Sequence, residues 1–251
     1  MKSLNEDLKT GEFKQIYLLY GEEVYLKKQY KDRLSKAIVN EGDTMNYSYY
    51  EGKGIHPEEL IDLAETMPFF SERRLIVVEN SGFFKNATPE LADYLKELPE
   101  TSYFLFVEEE VDKRGKLYKA VKAKGRIVEL GRQDEHTLVR WILGMVKREG
   151  KQISERTVQF LLAKTGDDME NLQRELEKLF CYTLEKDAIT VEDVEEICTT
   201  HISNQIFEMV AAVAEKKRKK STRALLRSAC VERTTDADLF LLVRQFRLLW
   251  R

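Results

Sequence analysis

The sequence predicts an α/β domain built on a five-stranded, mainly parallel sheet, followed by an all-helical remainder. Short apolar runs alternate with helical patterns from Ile16 to Leu130. Several of these runs are apolar throughout, as strands covered on both faces require. After Gly131 the strand signals stop and helical periodicity continues alone. Parallel neighbours need crossover connections, and a β-α order repeated five times supplies them.

Ile16-Tyr17-Leu18-Leu19-Tyr20 is a β-prone run ended by Gly21 and forms the first strand. From Glu23 to Val39, Leu26, Tyr30, Leu34 and Ile38 recur at spacing four, which aligns them on one face of a helix. Met45 to Tyr50 is tyrosine-rich and extended. Pro57 to Met67 begins with proline, favoured in a first helical turn, and carries Leu60, Ile61, Leu63 and Ala64. Leu75 to Val78 and Tyr103 to Val107 are central strands, with a helix at Pro89 to Leu98 between them. A helix at Lys116 to Lys124 leads to the last strand, Arg126 to Leu130.

In the remainder, Asp134 caps a helix running to Arg148, Ser154 opens another, and Asp167 or Asp168 begins a third containing Leu172, Leu176 and Leu179. A short helix at Val191 to Cys198 closes this group. From Ser203 a further helical region carries Ile206, Met209, Val210 and Val213 on one stripe, then Leu239, Leu242, Val243 and Phe246. These patterns divide the chain into residues 1–131, 132–202 and 203–251. The last residues, Arg244 to Arg251, read as an apolar helix in mid-course, so a truncated chain, or one whose end packs on a partner, is expected.

Composition narrows the function. No apolar run is long enough to span a bilayer, and the first segment lacks the apolar core of a signal peptide, so a soluble cytoplasmic protein is expected. The 41 Lys+Arg against 44 Asp+Glu give a net charge of −3, which denies the molecule the overall positive field of a dedicated nucleic-acid binder. Cys181, Cys198 and Cys230 are widely spaced, with no CxxC pair, which argues against a disulfide framework or a zinc knuckle.

A strand followed by glycine invites comparison with a phosphate-binding loop, which needs GxxxxGK[ST]. Here the loop reads Gly21-Glu22-Glu23-Val24-Tyr25-Leu26-Lys27-Lys28. It has no second glycine and no hydroxyl, and its two glutamates stand where phosphate would approach. The third strand ends in Glu79-Asn80 instead of the paired acids that would hold a magnesium ion, which leaves Glu79 as a structural acid. His56, His136 and His201 lie far apart, and Cys198 with His201 makes only two ligands. Glu108, Glu109, Glu110 and Asp112 suggest a solvated loop more than a divalent site. Two basic stretches, Lys113 to Arg126 and Lys216 to Lys220, lack the interleaved aromatics that stack bases.

The informative segment is Glu65-Thr66-Met67-Pro68-Phe69-Phe70-Ser71-Glu72-Arg73-Arg74. It sets two aromatic residues between a helix end and a strand. An exposed pair would anchor an interface, since burying each phenyl is worth about 1.5–3 kcal/mol. On the residues alone the rings stand exposed, fold back over the sheet, or divide with one in the core. Phe83-Phe84 carry the same ambiguity.

Several stretches together resemble the delta-subunit family of the bacterial DNA polymerase III clamp loader. They are Tyr17 to Leu26, Met67 to Leu75, Asp112 to Lys119, Gly166-Asp167-Asp168 with Glu175 to Leu179, and Arg244 to Leu249. They occur in the family's order over nearly the whole chain. The resemblance implies an AAA+/RecA-like α/β domain without ATPase motifs, then a small helical lid domain and the start of a helical collar. It implies no catalytic residue, cofactor or metal. Met169-Glu170-Asn171 stand where ATP-using relatives carry a lid arginine.

As implied by the resemblance, the chain is a non-catalytic subunit of the holoenzyme, whose activity is DNA-directed DNA polymerase. It would bind the sliding clamp (beta subunit) through Phe69 and Phe70, with Met67 supporting, and hold the ring open for loading onto primed DNA. Its other partners would be the clamp loader ATPase subunits (gamma/tau) and delta prime. The resemblance leaves room for DNA contact in the assembled loader and implies no membrane. Two other classes stand beside it. A degenerate P-loop-type NTPase would bind ATP, and a nucleic-acid-binding module would bind DNA with a steep salt dependence.

Overall fold

The computed structural model describes residues 2–40 and 42–199. The expected helices beyond Ser203, the Lys216 to Lys220 run, His201, Cys230 and the apolar end at Trp250 lie outside the described residues. The chain divides into two compact units, Met1–Gln133 and a second beginning at Asp134.

The first unit contains α1 (Lys2–Thr10), β1 (Ile16–Tyr20), α2 (Val24–Ile38), β2 (Tyr47–Glu51), α3 (Pro57–Glu65), β3 (Arg74–Glu79), α4 (Pro89–Tyr94), β4 (Ser102–Glu108), α5 (Lys116–Lys124) and β5 (Arg126–Glu129). The strands form one sheet in the order β2-β3-β4-β1-β5. Every pairing in it is parallel, with Ile16 opposite Phe104 and Leu75 opposite Tyr103. The continuously apolar runs are explained by this placement: β1, β3 and β4 are interior strands, and all five residues of β1 are buried.

One face of the sheet presents Ile16, Leu18, Ile76, Val78, Phe104 and Phe106 to Leu60 and Ala64 of α3, Leu91 of α4 and Leu117 and Val121 of α5. Phe104 and Phe106 stack with centroids 5.6 Å apart, and Phe84 meets Phe106 edge-on at 5.3 Å. α2 packs against β1 and β4, burying Leu26, Tyr30, Leu34 and Ile38, the residues whose spacing predicted it.

α1 has no counterpart among the sequence expectations. It carries only two apolar residues, Leu4 and Leu8 one turn apart, of which Leu4 is fully buried, and long-range polar bonds also tie it down. Asp7, almost fully buried, accepts from the Tyr17 hydroxyl at 2.8 Å and from Arg126 Nη2 at 2.8 Å. α4 ends at Tyr94, short of the expected Leu98, because the chain continues in tight turns in which Lys96 N donates to Asp93 O and Glu97 N to Tyr94 O.

The second unit contains α6 (Glu135–Arg148), β6 (Gln152–Ile153), α7 (Glu155–Thr165), α8 (Met169–Tyr182), β7 (Ala188–Ile189) and α9 (Val191–Ile197). Asp134, Ser154 and Asp168 cap α6, α7 and α8 by accepting from the backbone N–H three residues on. The expectation of helices alone is corrected: β6 and β7 pair in parallel, and Gln152 N donates to Asp187 O at 2.8 Å. Two-residue strands are too short to show alternation in sequence. Leu172, Leu176 and Leu179 of α8 are fully buried. No described helix is long and apolar enough to cross a membrane.

Candidate functional site

The loop from Thr66 to Arg73 joins α3 to β3. α3 closes with Thr66, whose N–H and hydroxyl both turn back to Leu63 O, at 3.2 and 2.6 Å. Pro68 follows and supplies no N–H to prolong the helix. The chain then exposes three apolar side chains in succession: Met67 is 80% exposed, Phe69 56% and Phe70 94%. The two rings meet edge-to-face with centroids 4.6 Å apart.

The backbone beneath these rings is tied to the body of the unit. Arg74, buried at the start of β3, donates from Nη2 to Met67 O at 3.1 Å. Asn46, buried just ahead of β2, bonds both backbone polar groups of Phe69. Phe70 adopts φ 48°, a left-handed conformation that costs a residue with a Cβ about 1–2 kcal/mol. Of the sequence readings left open for the Phe pair, the exposed one is observed. For Phe83 and Phe84 it is the opposite, with both rings in the core at 6% and 3% exposure.

The loop after β1 is occupied by the protein's own groups. Gly21 N donates to Glu109 O at 3.2 Å and Glu23 N donates to Leu130 O at 2.9 Å. Gly21 has φ 127°, and a Cβ there would lie 2.4 Å from Leu130 O, so only glycine fits. Lys27 falls at the spacing a P-loop lysine has after its first glycine, a signal the sequence reading passed over. It is buried, with Nζ 3.3 Å from Glu108 O. Burial pulls its pKa down, opposed by the charges of Glu109, Glu79, Glu108 and Glu23.

Several other residues singled out in the sequence are engaged within the protein itself. Glu79 accepts from Lys31 Nζ at 2.6 Å and from the Tyr49 hydroxyl at 3.0 Å. Glu108 is buried under the turn after β3, accepting from Ser81 Oγ at 2.5 Å and Ser81 N at 3.1 Å, and burial pushes its pKa up. Glu110 pairs with Lys85 at 2.8 Å and Asp112 with Arg114 at 3.2 Å. Lys113 and Arg126 of the first basic stretch are engaged with Glu129 and Asp7. Cys198 is buried, and burial raises its thiol to about 12. Met169 is buried as well. Among the described residues no group of three His, Cys, Asp or Glu side chains could hold a metal ion.

Residues 17–131, which hold all of the five-stranded sheet but Ile16, the Thr66–Arg73 loop and the loop after β1, match the family model for the DNA polymerase III delta subunit. Over this stretch the chain is similar to the DNA polymerase III delta-subunit family. DNA polymerase III subunit delta of Bacillus subtilis is 26% identical, over 97% of this chain and 74% of that protein. A probable delta subunit of Aquifex aeolicus is 27% identical over 84% of this chain and 63% of its own length, so the match spans somewhat under two thirds of that relative. Among solved structures, the Bacillus subtilis DNA clamp loader delta protein superposes with a TM-score of 0.75 at 25% identity, covering 98% of this chain and 76% of that one. A Thermotoga maritima RuvB mutant, at TM-score 0.50 and 11% identity over 96% of this chain, shares the fold. The α/β architecture with a parallel five-stranded sheet is thus shared with these two solved structures.

Proposed function

We propose that this chain is a DNA polymerase III delta subunit that binds the sliding clamp through Phe69 and Phe70, with Met67 alongside, and holds the clamp ring open for loading onto primed DNA. The single observation that carries the reading is the exposed edge-to-face Phe pair on a backbone held in a left-handed turn. Monomeric soluble domains seldom present two adjoining phenyl rings to water without a partner for them. A ligand shifts a ring-opening equilibrium only by its differential affinity for the two states. A rigid apolar plug that fits an open clamp better than a closed one supplies such a difference.

In the same reading the subunit does not hydrolyse ATP, and its neighbours in the loader, the gamma/tau subunits with delta prime, supply that step. The amides that would cradle phosphate donate to Glu109 O and Leu130 O, Lys27 turns inward to Glu108 O, and Glu79 is held by Lys31 and Tyr49. Residues 1–131 act as the clamp-binding domain, 132–202 as the lid and 203–251 as the start of the collar.

The test is titration of the intact chain with its own sliding clamp, alongside Phe69→Ala and Phe70→Ala. Each variant is expected to melt cooperatively and to lose about 2 kcal/mol or more of binding. Failure of the wild type to bind, or undiminished binding by both variants, would refute the docking role.

A further inference from the structure

One side chain underlies the exposed tip. Asn46 is 1% exposed and precedes β2, and its own carbonyl accepts from Leu75 N at 2.8 Å. Its side-chain amide faces both backbone polar groups of Phe69. Oδ1 accepts from Phe69 N at 2.7 Å and Nδ2 donates to Phe69 O at 2.9 Å. This is the two-bond exchange that a residue on a neighbouring strand would make.

The orientation of that amide is itself fixed. Nδ2 also donates to Asp43 Oδ2 at 2.7 Å, while Asp43 Oδ1 accepts from Met45 N at 3.1 Å and Asn46 N at 3.0 Å. A flipped amide would set its oxygen against both the carboxylate and the Phe69 carbonyl. The hydrogen bond from Asn46 holds the Asp43 carboxyl below its usual range. With both polar groups of Phe69 pinned, Phe70 is left at φ 48° with its ring almost wholly in water.

We propose that Asn46 is a positioning residue for docking. By clamping the Phe69 backbone it holds the two rings in their projecting arrangement before a partner arrives, so that less ordering remains to be done on binding. This rests on the reading of the Phe69–Phe70 tip as the clamp anchor. It extends that reading from the rings to a buried polar residue more than twenty positions away in sequence, on a different element.

The experiment compares wild type, Asn46→Ala, the double variant Phe69→Ala/Phe70→Ala, and the triple variant. Clamp affinity and amide hydrogen exchange are measured on the intact chain. Asn46→Ala is expected to bind the clamp at least about ten-fold more weakly. The same change in the double-variant background should have an effect of no more than about two-fold. Exchange protection at the Phe69 amide should fall, while amides of Val77 and Leu105 in the sheet keep theirs. Should Asn46→Ala fail to fold, Asp43→Ala, which frees the amide without removing it, is expected to shift the same readouts in the same direction by a smaller factor.

Affinity unchanged in Asn46→Ala, or an equal loss in both backgrounds, would overturn the positioning role. If instead wild type and double variant bind the clamp alike, the docking reading falls. The positioning role in docking falls with it, and exchange at Phe69 then decides only whether Asn46 holds the loop: lost protection leaves it a structural clamp on the tip, and unchanged protection removes that role as well.

Discussion

Replacing Phe70 by glycine and by alanine should reverse the usual order of stability. In most positions glycine is less stable than alanine by about 0.5–1 kcal/mol, through its greater freedom in the unfolded chain. Phe70 sits at φ 48°, where any side chain with a Cβ costs about 1–2 kcal/mol and glycine costs nothing. The alanine variant keeps that strain and loses the edge-to-face contact with Phe69 at 4.6 Å, whereas the glycine variant loses the contact and the strain together. Subtracting the entropy cost from the strain leaves the glycine variant more stable than the alanine variant by up to about 1.5 kcal/mol, roughly 3–6 °C in melting temperature at that upper end for a protein of this size. Clamp binding should respond differently. Both variants lose a ring that is 94% exposed in the free chain, and its burial is worth about 1.5–3 kcal/mol, or roughly ten- to 150-fold in affinity. The glycine variant should lose more, because the tip is also freed. Thermal melts read the first effect and clamp titrations the second. A glycine variant that melts below the alanine variant would refute the strain at Phe70, and one that binds the clamp as wild type does would refute the anchor.

Gly21→Ala is expected to lower stability by at least about 2 kcal/mol, since its Cβ would lie 2.4 Å from Leu130 O on a backbone at φ 127°. Gly131→Ala, where a Cβ meets nothing within 4 Å, serves as the control, and equal melting of the two would overturn the argument. Lys27→Met tests the buried cation through pH. The folded pKa of Lys27 is depressed by burial, so between that value and the unfolded value of about 10.4 the unfolded chain holds more protons and stability rises with pH. Urea titrations at about pH 8 and about pH 10 should therefore show wild type gaining on the variant, and a constant difference between them would refute a depressed Lys27 pKa.

Those parts of the fold governed by local periodicity and capping were legible in the sequence. Ile16–Tyr20 and Tyr103–Val107 are apolar because they lie inside the sheet, and Leu26, Tyr30, Leu34 and Ile38 mark one face of α2. Asp134 and Ser154 announced their helices through the N–H groups they cap. α1 was illegible because its placement depends on Asp7 meeting Tyr17 and Arg126 across the fold, and β6–β7 because four residues carry no pattern. At the site, the Phe pair could be found from its position between helix and strand. Whether it faced water could not, since Phe83-Phe84 is the same dipeptide buried. Asn46 could not be found either: its partners are backbone atoms of a distant loop, and nothing in an isolated asparagine records them.

The register of β1 has a consequence for how the chain is made. Ile16 through Tyr20 pair with Phe104 through Glu108 on one side and, from Tyr17 on, with Arg126 through Glu129 on the other. α2 follows β1 directly and covers part of it, but every strand that flanks β1 is synthesised much later. At about 5–20 residues per second, a ribosome takes on the order of 5–20 s to travel from β1 to β4. During that interval one of the most apolar segments of the domain has no sheet to join. Pairing over such a separation is slow to nucleate, so this early strand sets both the pace of folding and the window in which the nascent chain is most prone to aggregate.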